Sequence, residues 1–239
     1  MKSLRPFFEV IMRYENICRG IFQSRPNRFI AEVLIDGRTE ICHVKNTGRC
    51  RELLIRGAEV FLVRSNSPGR RTAYDLVAVM KGERLINIDS QAPNKAVMEW
   101  LLTERPFGDD MEPYPEKTFG GSRFDFMLKS NKTDRVMYLE VKGCTLEREG
   151  VVLFPDAPTE RGAKHIRELI RCREEGLAAA LLILVQMENV KYFTPNKETD
   201  PVFAQALKDA KQKGVQILCF DSICTPESMT VNSPVEVIF

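Results

Sequence analysis

The sequence predicts an α/β (α+β) protein in two parts: a small OB-like β-barrel, then a larger mixed sheet flanked by helices. Three observations carry this. Up to about residue 85, short β-rich runs alternate with turn signals; beyond it, helical and strand periodicities alternate. At the same border the charge balance reverses. Residues 1–85 hold 16 Lys/Arg against 9 Asp/Glu, and residues 86–239 hold 19 against 24. A basic half joined to an acidic one suits a polyanion-binding module attached to a metal-binding one, and suits equally a surface charge that drifts between domains. The domain boundaries read from these signals are 1–85 and 86–239.

In the first part, Phe29–Ile35 is β-rich and ends at Asp36-Gly37, a strong two-residue hairpin signal, with Thr39–Val44 returning. Ala58–Arg64, a turn at Ser65–Gly69, Thr72–Met80 and a turn at Lys81–Glu83 continue the pattern. About five short strands in so short a span suggest a small closed barrel, OB-like first and SH3-like as the alternative.

In the second part, Ala92–Thr103 places Ala96, Val97, Trp100 and Leu101 at helical spacing, with Pro93 in the first turn. A Pro-punctuated loop is expected from Pro106 to Pro115. Strands are expected at Arg123–Leu128, Val136–Lys142 and Gly150–Phe154. Thr159 can cap a helix reaching about Glu175, with Gly176 ending it. Ala178–Gln186 is nearly all apolar, as a strand covered on both faces should be. Asp200-Pro201 opens a helix that Gly214 stops, and Val215–Phe220 closes the series as a strand.

A chain of 239 residues with 44% hydrophobic composition can bury substantial cores unaided. Seven cysteines contain no CxxC pair, so they read as reduced thiols of a cytoplasmic protein. Cys42, His43 and Cys50 match no zinc spacing, and core packing accounts for them better. The start of the chain is interrupted by Arg5, Pro6, Glu9 and Arg13, unlike a signal peptide, and no apolar run is long enough for a membrane span.

The chemistry-bearing residues fall on one expected hairpin. Phe124, Phe126 and Leu128 share a strand face, which turns Asp125 to the other. On the returning strand Met137, Leu139 and Val141 face one way, and Glu140 and Lys142 the other. Pairing across the polar turn Lys129–Arg135 brings Asp125 near Glu140. Two carboxylates held together call for a cation, and hard oxygen ligands select Mg²⁺ or Mn²⁺, with the Val141 carbonyl a further candidate ligand. Lys142, beside a ligating Glu140, can orient an attacking water and offset charge on a phosphorane-like transition state. This is the chemistry of phosphodiester hydrolysis. Glycoside hydrolysis leaves Lys142 unexplained, which ranks a sugar-cleaving enzyme last.

The segments Asn46-Thr47-Gly48-Arg49, Ser122–Phe126, Leu139–Lys142 and Phe154–Gly162, leading into Lys164-His165, together resemble the sugar fermentation stimulation protein A family over nearly the whole chain. The resemblance implies an N-terminal OB-like domain and a C-terminal domain of the PD-(D/E)xK nuclease type, DNA-binding and linked to regulation of sugar metabolism. Asp125, Glu140 and Lys142 then match the nuclease signature, although Phe124 stands where a Pro often precedes the Asp. Glu99, on the preceding helix, sits where such nucleases often carry an additional acidic metal ligand.

Around this centre His165 is a candidate proton-transfer group and Lys164 a phosphate contact. Arg161 is a candidate phosphate clamp and Gln186 a backbone contact near the metal. In the barrel, Arg28, Phe29, Lys45, Asn46, Thr47, Arg49, Arg64, Arg70 and Arg71 would form a basic groove with an aromatic, for nucleic acid and more readily DNA. Two readings stand: a Mg²⁺- or Mn²⁺-dependent nuclease, and a DNA-binding regulator of sugar (maltose) metabolism that does not cut. Nucleases of this type often dimerise to cut both strands, so a homodimer is an expectation too.

Overall fold

A computed structural model of the chain describes residues 12–46, 48–65 and 69–239. The first part is built on β1 (Ile17–Asn27), β2 (Ile30–Ile35), β3 (Arg38–Val44), β4 (Glu59–Arg64) and β5 (Tyr74–Lys81). β1 pairs with β2 and β4, β2 with β3, and β4 with β5, while a short parallel ladder from Cys42↔Tyr74 to Val44↔Leu76 joins β3 to β5 and closes the barrel. That closure gives the five-stranded OB arrangement. β2 shows why the strands form: Ala31, Val33 and Ile35 alternate into the core. Asp36 and Gly37 both take positive φ, as the two-residue turn requires.

β1 went unread in the sequence because Gly20, Arg25 and Pro26 break its β character. Gly20 has a packing reason: a Cβ there would lie 2.5 Å from Val33 Cγ1 and 3.0 Å from the Leu34 carbonyl. A sixth strand, β6 (Arg84–Asn87), extends the free half of the β5 edge and leads into the second part.

There follow α1 (Ala92–Thr103), β7 (Met111–Phe119), β8 (Ser122–Ser130), β9 (Val136–Cys144), β10 (Glu147–Arg148), β11 (Val151–Phe154) and α2 (Glu160–Glu174). The chain continues through β12 (Ala178–Val185), β13 (Tyr192–Pro195), α3 (Pro201–Gln212), β14 (Gln216–Cys224), β15 (Met229–Pro234) and β16 (Glu236–Val237). The main sheet has the order β15-β14-β12-β9-β8-β7, with β9, β12 and β14 parallel at its centre. α1 packs its Ala96, Val97 and Leu101 on one face with Met137, Leu139 and Leu182; α2 and α3 cover the other with Ile166, Leu169 and Phe203. β12, covered on both sides, is accordingly all apolar. The caps fall where the sequence placed them: Thr159 accepts from Gly162 N at 3.0 Å and Asp200 from Phe203 N at 2.8 Å.

Three further expectations change. The second half of the loop expected from Pro106 to Pro115 is instead the start of edge strand β7, where Pro113 and Pro115 cost no interior ladder bond. β13, β15 and β16 were unread, being short or polar. Phe124 does not share a face with Phe126 and Leu128: it packs on the α2 side against Tyr138 and His165, while the other two pack on the α1 side. The strand turns over at Asp125, opposite Glu116 with its φ of +56°, where the ladder to β9 has already ended.

No helix among the described residues is long and apolar enough to cross a membrane. All seven cysteines are free, and six are buried. Among the described residues no cluster of three or more His, Cys, Asp and Glu has metal-holding geometry; His43 instead bonds Asp75 at 2.9 Å.

Candidate functional site

The site grows from the splayed ends of β8 and β9. Their ladder runs from Lys129↔Val136 to Phe126↔Leu139 and stops. Beyond it the Asp125 side chain fills the gap, Oδ2 accepting the Val141 N–H at 2.8 Å and Oδ1 the Asn94 amide of α1 at 2.7 Å. Asp125 is thereby fixed by both neighbours. Glu140 projects toward α2, and its Oε1 receives both Lys142 Nζ and His165 Nδ1. Its other oxygen, Oε2, is buried and has no hydrogen-bond partner among the described residues. Asp125, Glu140, Val141, Lys142, His165 and Arg161 all line one cavity of about 180 Å³, with Asn94, Glu116 and Arg123 at its wall.

The two carboxylates are driven apart electrically. Burial, and then the charge of Glu140, push the Asp125 carboxyl above its ordinary range against the pull of the Val141 N–H, Lys142 and Asn94. Burial presses Glu140 the same way, but the His165 hydrogen bond and the Lys142 ammonium outweigh it and hold that carboxyl below its ordinary range. A buried carboxylate oxygen without a donor, next to a second carboxyl crowded by its charge, fits a hard cation better than any neutral partner. Oxygen donors are what these residues offer, and Val141 borders the same space.

The remaining candidates separate. His165 is buried with its Nδ1 committed to Glu140, so it orients that carboxylate. Lys164 donates to the Gly121 carbonyl at 2.8 Å and does not line the cavity. Glu99 points away: its Oε2 accepts the Met12 N–H at 3.0 Å, and Asn94, five residues earlier on α1, is the helix side chain that reaches Asp125. Gln186 is buried, its Nε2 donating to the Asn87 and Asp89 carbonyls at 3.0 and 3.1 Å. Asn94 went unread because a lone Asn near a helix start reads as a cap.

The barrel residues do not form one groove. Lys45 is paired with the buried Asp89 at 2.8 Å, and Arg70 holds Asp75 through both terminal nitrogens, at 2.9 and 2.6 Å. Asn46 builds its own turn, accepting Gly48 N at 2.7 Å and donating to the Ile88 carbonyl at 2.9 Å. Thr47 lies outside the described residues. Arg64 and Arg71 are exposed and border neither the carboxylate cavity nor the basin formed by Arg28 and Arg49. Arg28, its guanidinium 4.7 Å from the Phe29 ring centre, and Arg49 do come together, with Arg25 and Arg51, around an open basin of about 410 Å³. Arg25, unread in the sequence, organises that basin by donating to the carbonyls of Arg28, Asn46, Gly48 and Arg49 at 2.7–2.9 Å. These acceptors are neutral, and among the described residues no carboxylate forms an ion pair with its guanidinium.

Comparison with known proteins matches residues 24–88 to the SfsA N-terminal OB domain and residues 91–228 to the sugar fermentation stimulation protein RE domain. A sugar fermentation stimulation protein homolog of Desulfitobacterium hafniense (strain Y51) is 53% identical over 219 residues, covering 91% of this chain and 94% of the relative. That of Clostridium beijerinckii is 48% identical, covering 95% and 100%. Among solved structures, Pyrococcus furiosus SfsA in complex with Ca²⁺ superposes with a TM-score of 0.85 at 28% identity, covering 96% of this chain and 99% of that one.

Proposed function

Since the chain belongs to the sugar fermentation stimulation protein family, we propose that it is a DNA-binding protein whose Asp125–Glu140–Lys142 site hydrolyses phosphodiesters with a bound divalent cation. The observation that carries this is the orphaned Glu140 Oε2, buried beside an Asp125 that the Glu140 charge disfavours. Asp125, Glu140 Oε2 and the Val141 carbonyl would hold Mg²⁺ or Mn²⁺; the Ca²⁺ of the Pyrococcus furiosus relative, another hard cation, supports the same preference. When bound, such an ion supplies Lewis acidity and a more acidic water.

The chain's own groups supply the rest. Lys142 Nζ spends one N–H on Glu140 and keeps others for a water or a phosphate oxygen. His165 holds the Glu140 carboxylate in place, and Phe124 at its edge fixes the imidazole. Arg161, exposed at the cavity, offers a bidentate fork to phosphate. The Arg25, Arg28, Arg49 and Arg51 basin would hold the flanking backbone.

The test is incubation of the full chain with DNA and Mg²⁺ or Mn²⁺. Cleavage is expected, and it should vanish in Lys142→Ala; cleavage unchanged in that variant would sink the reading. A second reading, binding without cutting, is favoured by the arginine basin, whose charge needs no carboxylate site. Salt-sensitive binding with no hydrolysis under either metal would select it.

A further inference from the structure

A second cavity, of about 120 Å³, lies between the barrel and the main sheet and shares Ser90 and Gly143 with the carboxylate cavity. Its polar wall holds free acceptors. Gln186 is 2% exposed and its Nε2 is bound to backbone carbonyls, which leaves Oε1 facing Gly143 with no partner among the described residues. Asp156 accepts the Arg49 N–H on Oδ2 at 3.1 Å, and Oδ1 is free among the described residues. The Thr145 hydroxyl, able to accept as well as donate, borders the same space. Leu146, Leu153 and Phe154 supply apolar walls. Far larger than the ≈ 30 Å³ share of one water, the space suits a flat ring with apolar faces and a donor-bearing edge.

The two cavities meet at Gly143, against which Gln186 of one wall and Pro93 of the other are packed. Its φ is not positive, so the requirement is spatial: a Cβ there would collide with Gln186 Oε1 and lie 2.7 Å from Pro93 Cγ. Gly143 follows Lys142, so the second cavity begins beside the group assigned to phosphate.

We propose that this cavity is a nucleobase subsite, in which the base attached to a phosphate at Lys142 is held by Gln186 Oε1, Asp156 and Thr145. The proposal rests on the nucleic-acid reading of the neighbouring site and deepens it by naming the substrate class. Guanine fits best, because its Watson–Crick edge presents N1–H and N2–H₂ side by side, whereas thymine offers one N–H between two carbonyls. That edge is engaged in a duplex, so the accepted strand is unpaired at this position.

The experiment titrates the full chain with dGMP, dAMP, dCMP and dTMP by calorimetry, with and without Mg²⁺. None of these contains a phosphodiester, so selectivity among bases reports on the subsite and Mg²⁺ dependence reports on the carboxylates. dGMP is expected to bind on the order of tenfold more tightly than dTMP, the usual size of a good polar base contact. Asp156→Asn, which keeps an acceptor for the Arg49 N–H, and Thr145→Val should each reduce that ratio, and Gly143→Ala should abolish it. Four nucleotides binding alike, or a ratio that survives both Asp156→Asn and Thr145→Val, would overturn the subsite, whatever Mg²⁺ does. Melting curves of each variant separate lost recognition from lost fold.

Discussion

Asp125 completes a β-ladder with its side chain: Oδ2 takes the Val141 N–H at 2.8 Å just where the backbone pairing of their strands has ended. This carboxylate therefore has a structural duty besides any role toward a cation, and the two can be separated. Asp125→Ala leaves a buried N–H unpaired and should cost about 1–3 kcal/mol. Asp125→Asn keeps the acceptor, with Asn94 turning its amide over, and should melt near the parent temperature. Both should lose Mg²⁺-dependent cleavage; only the Ala variant should lose stability in thermal melts.

A cation bound at Glu140 Oε2 stabilises the folded chain by mass action, about 2.7 kcal/mol at a hundredfold excess over Kd. Mn²⁺ should therefore raise the melting temperature of the parent. Glu140→Gln removes the anionic ligand and should show no such rise, a result read by calorimetry without any substrate.

Arg28 and Arg49 line the basin while Arg70 is spent on Asp75. Arg28→Ala and Arg49→Ala should each lower the slope of log affinity against log salt for DNA by about 1. Arg70→Ala should leave it unchanged. Fluorescence anisotropy across a salt series distinguishes them.

Glu147 ties the second part to the barrel, reaching Lys81 Nζ at 2.5 Å and Arg84 at 3.2 Å. Burial raises its pKa, yet Lys81, the Gly150 N–H and Arg84 outweigh that and hold it below its ordinary range. A folded-state value below the unfolded one means that the unfolded chain takes up the proton first. Its stabilisation is complete above the unfolded value of about 4.3 and disappears as pH falls through the lower folded value. Denaturant midpoints should decline across that acid window, and Glu147→Gln should flatten this part of the decline.

The thiols offer a simple check on burial. Desolvation pushes Cys42, Cys50, Cys144, Cys172 and Cys224 up to about 12, and Cys219 is raised too. Cys18 is also raised, but it is the half-buried one of the seven. A thiol reagent should modify one cysteine in the native chain, lost in Cys18→Ser, and seven in denaturant.

How much of this was legible follows from where the signals live. Strict alternation and apolar runs announced β2, β9 and β12, and capping residues announced α2 and α3, because those signals are local. β1 and β7 escaped because Gly20, Pro26, Pro113 and Pro115 break a strand pattern for reasons that only tertiary contact explains. The strands that carry Asp125, Glu140 and Lys142 could be read from period-two patterning, but Asn94 and Arg25 could not, since each acts through neighbours distant in sequence. Glu99 failed for the same reason: helix periodicity cannot tell which of two polar positions meets the sheet end. Lys45 and Arg70 looked available because their acidic partners, Asp89 and Asp75, lie on other strands or loops.

The junction between barrel and sheet is stitched from both sides. Asn87 N donates to the Gln186 carbonyl at 3.0 Å, Gln186 Nε2 returns to the Asn87 carbonyl, and Lys45 grips Asp89 on the connecting segment. Such a seam resists the hinge opening by which many two-part proteins swallow a ligand. The wall at Gly143 is then a fixed mould, with Gln186 and Pro93 set so close that a single methyl group would not fit between them.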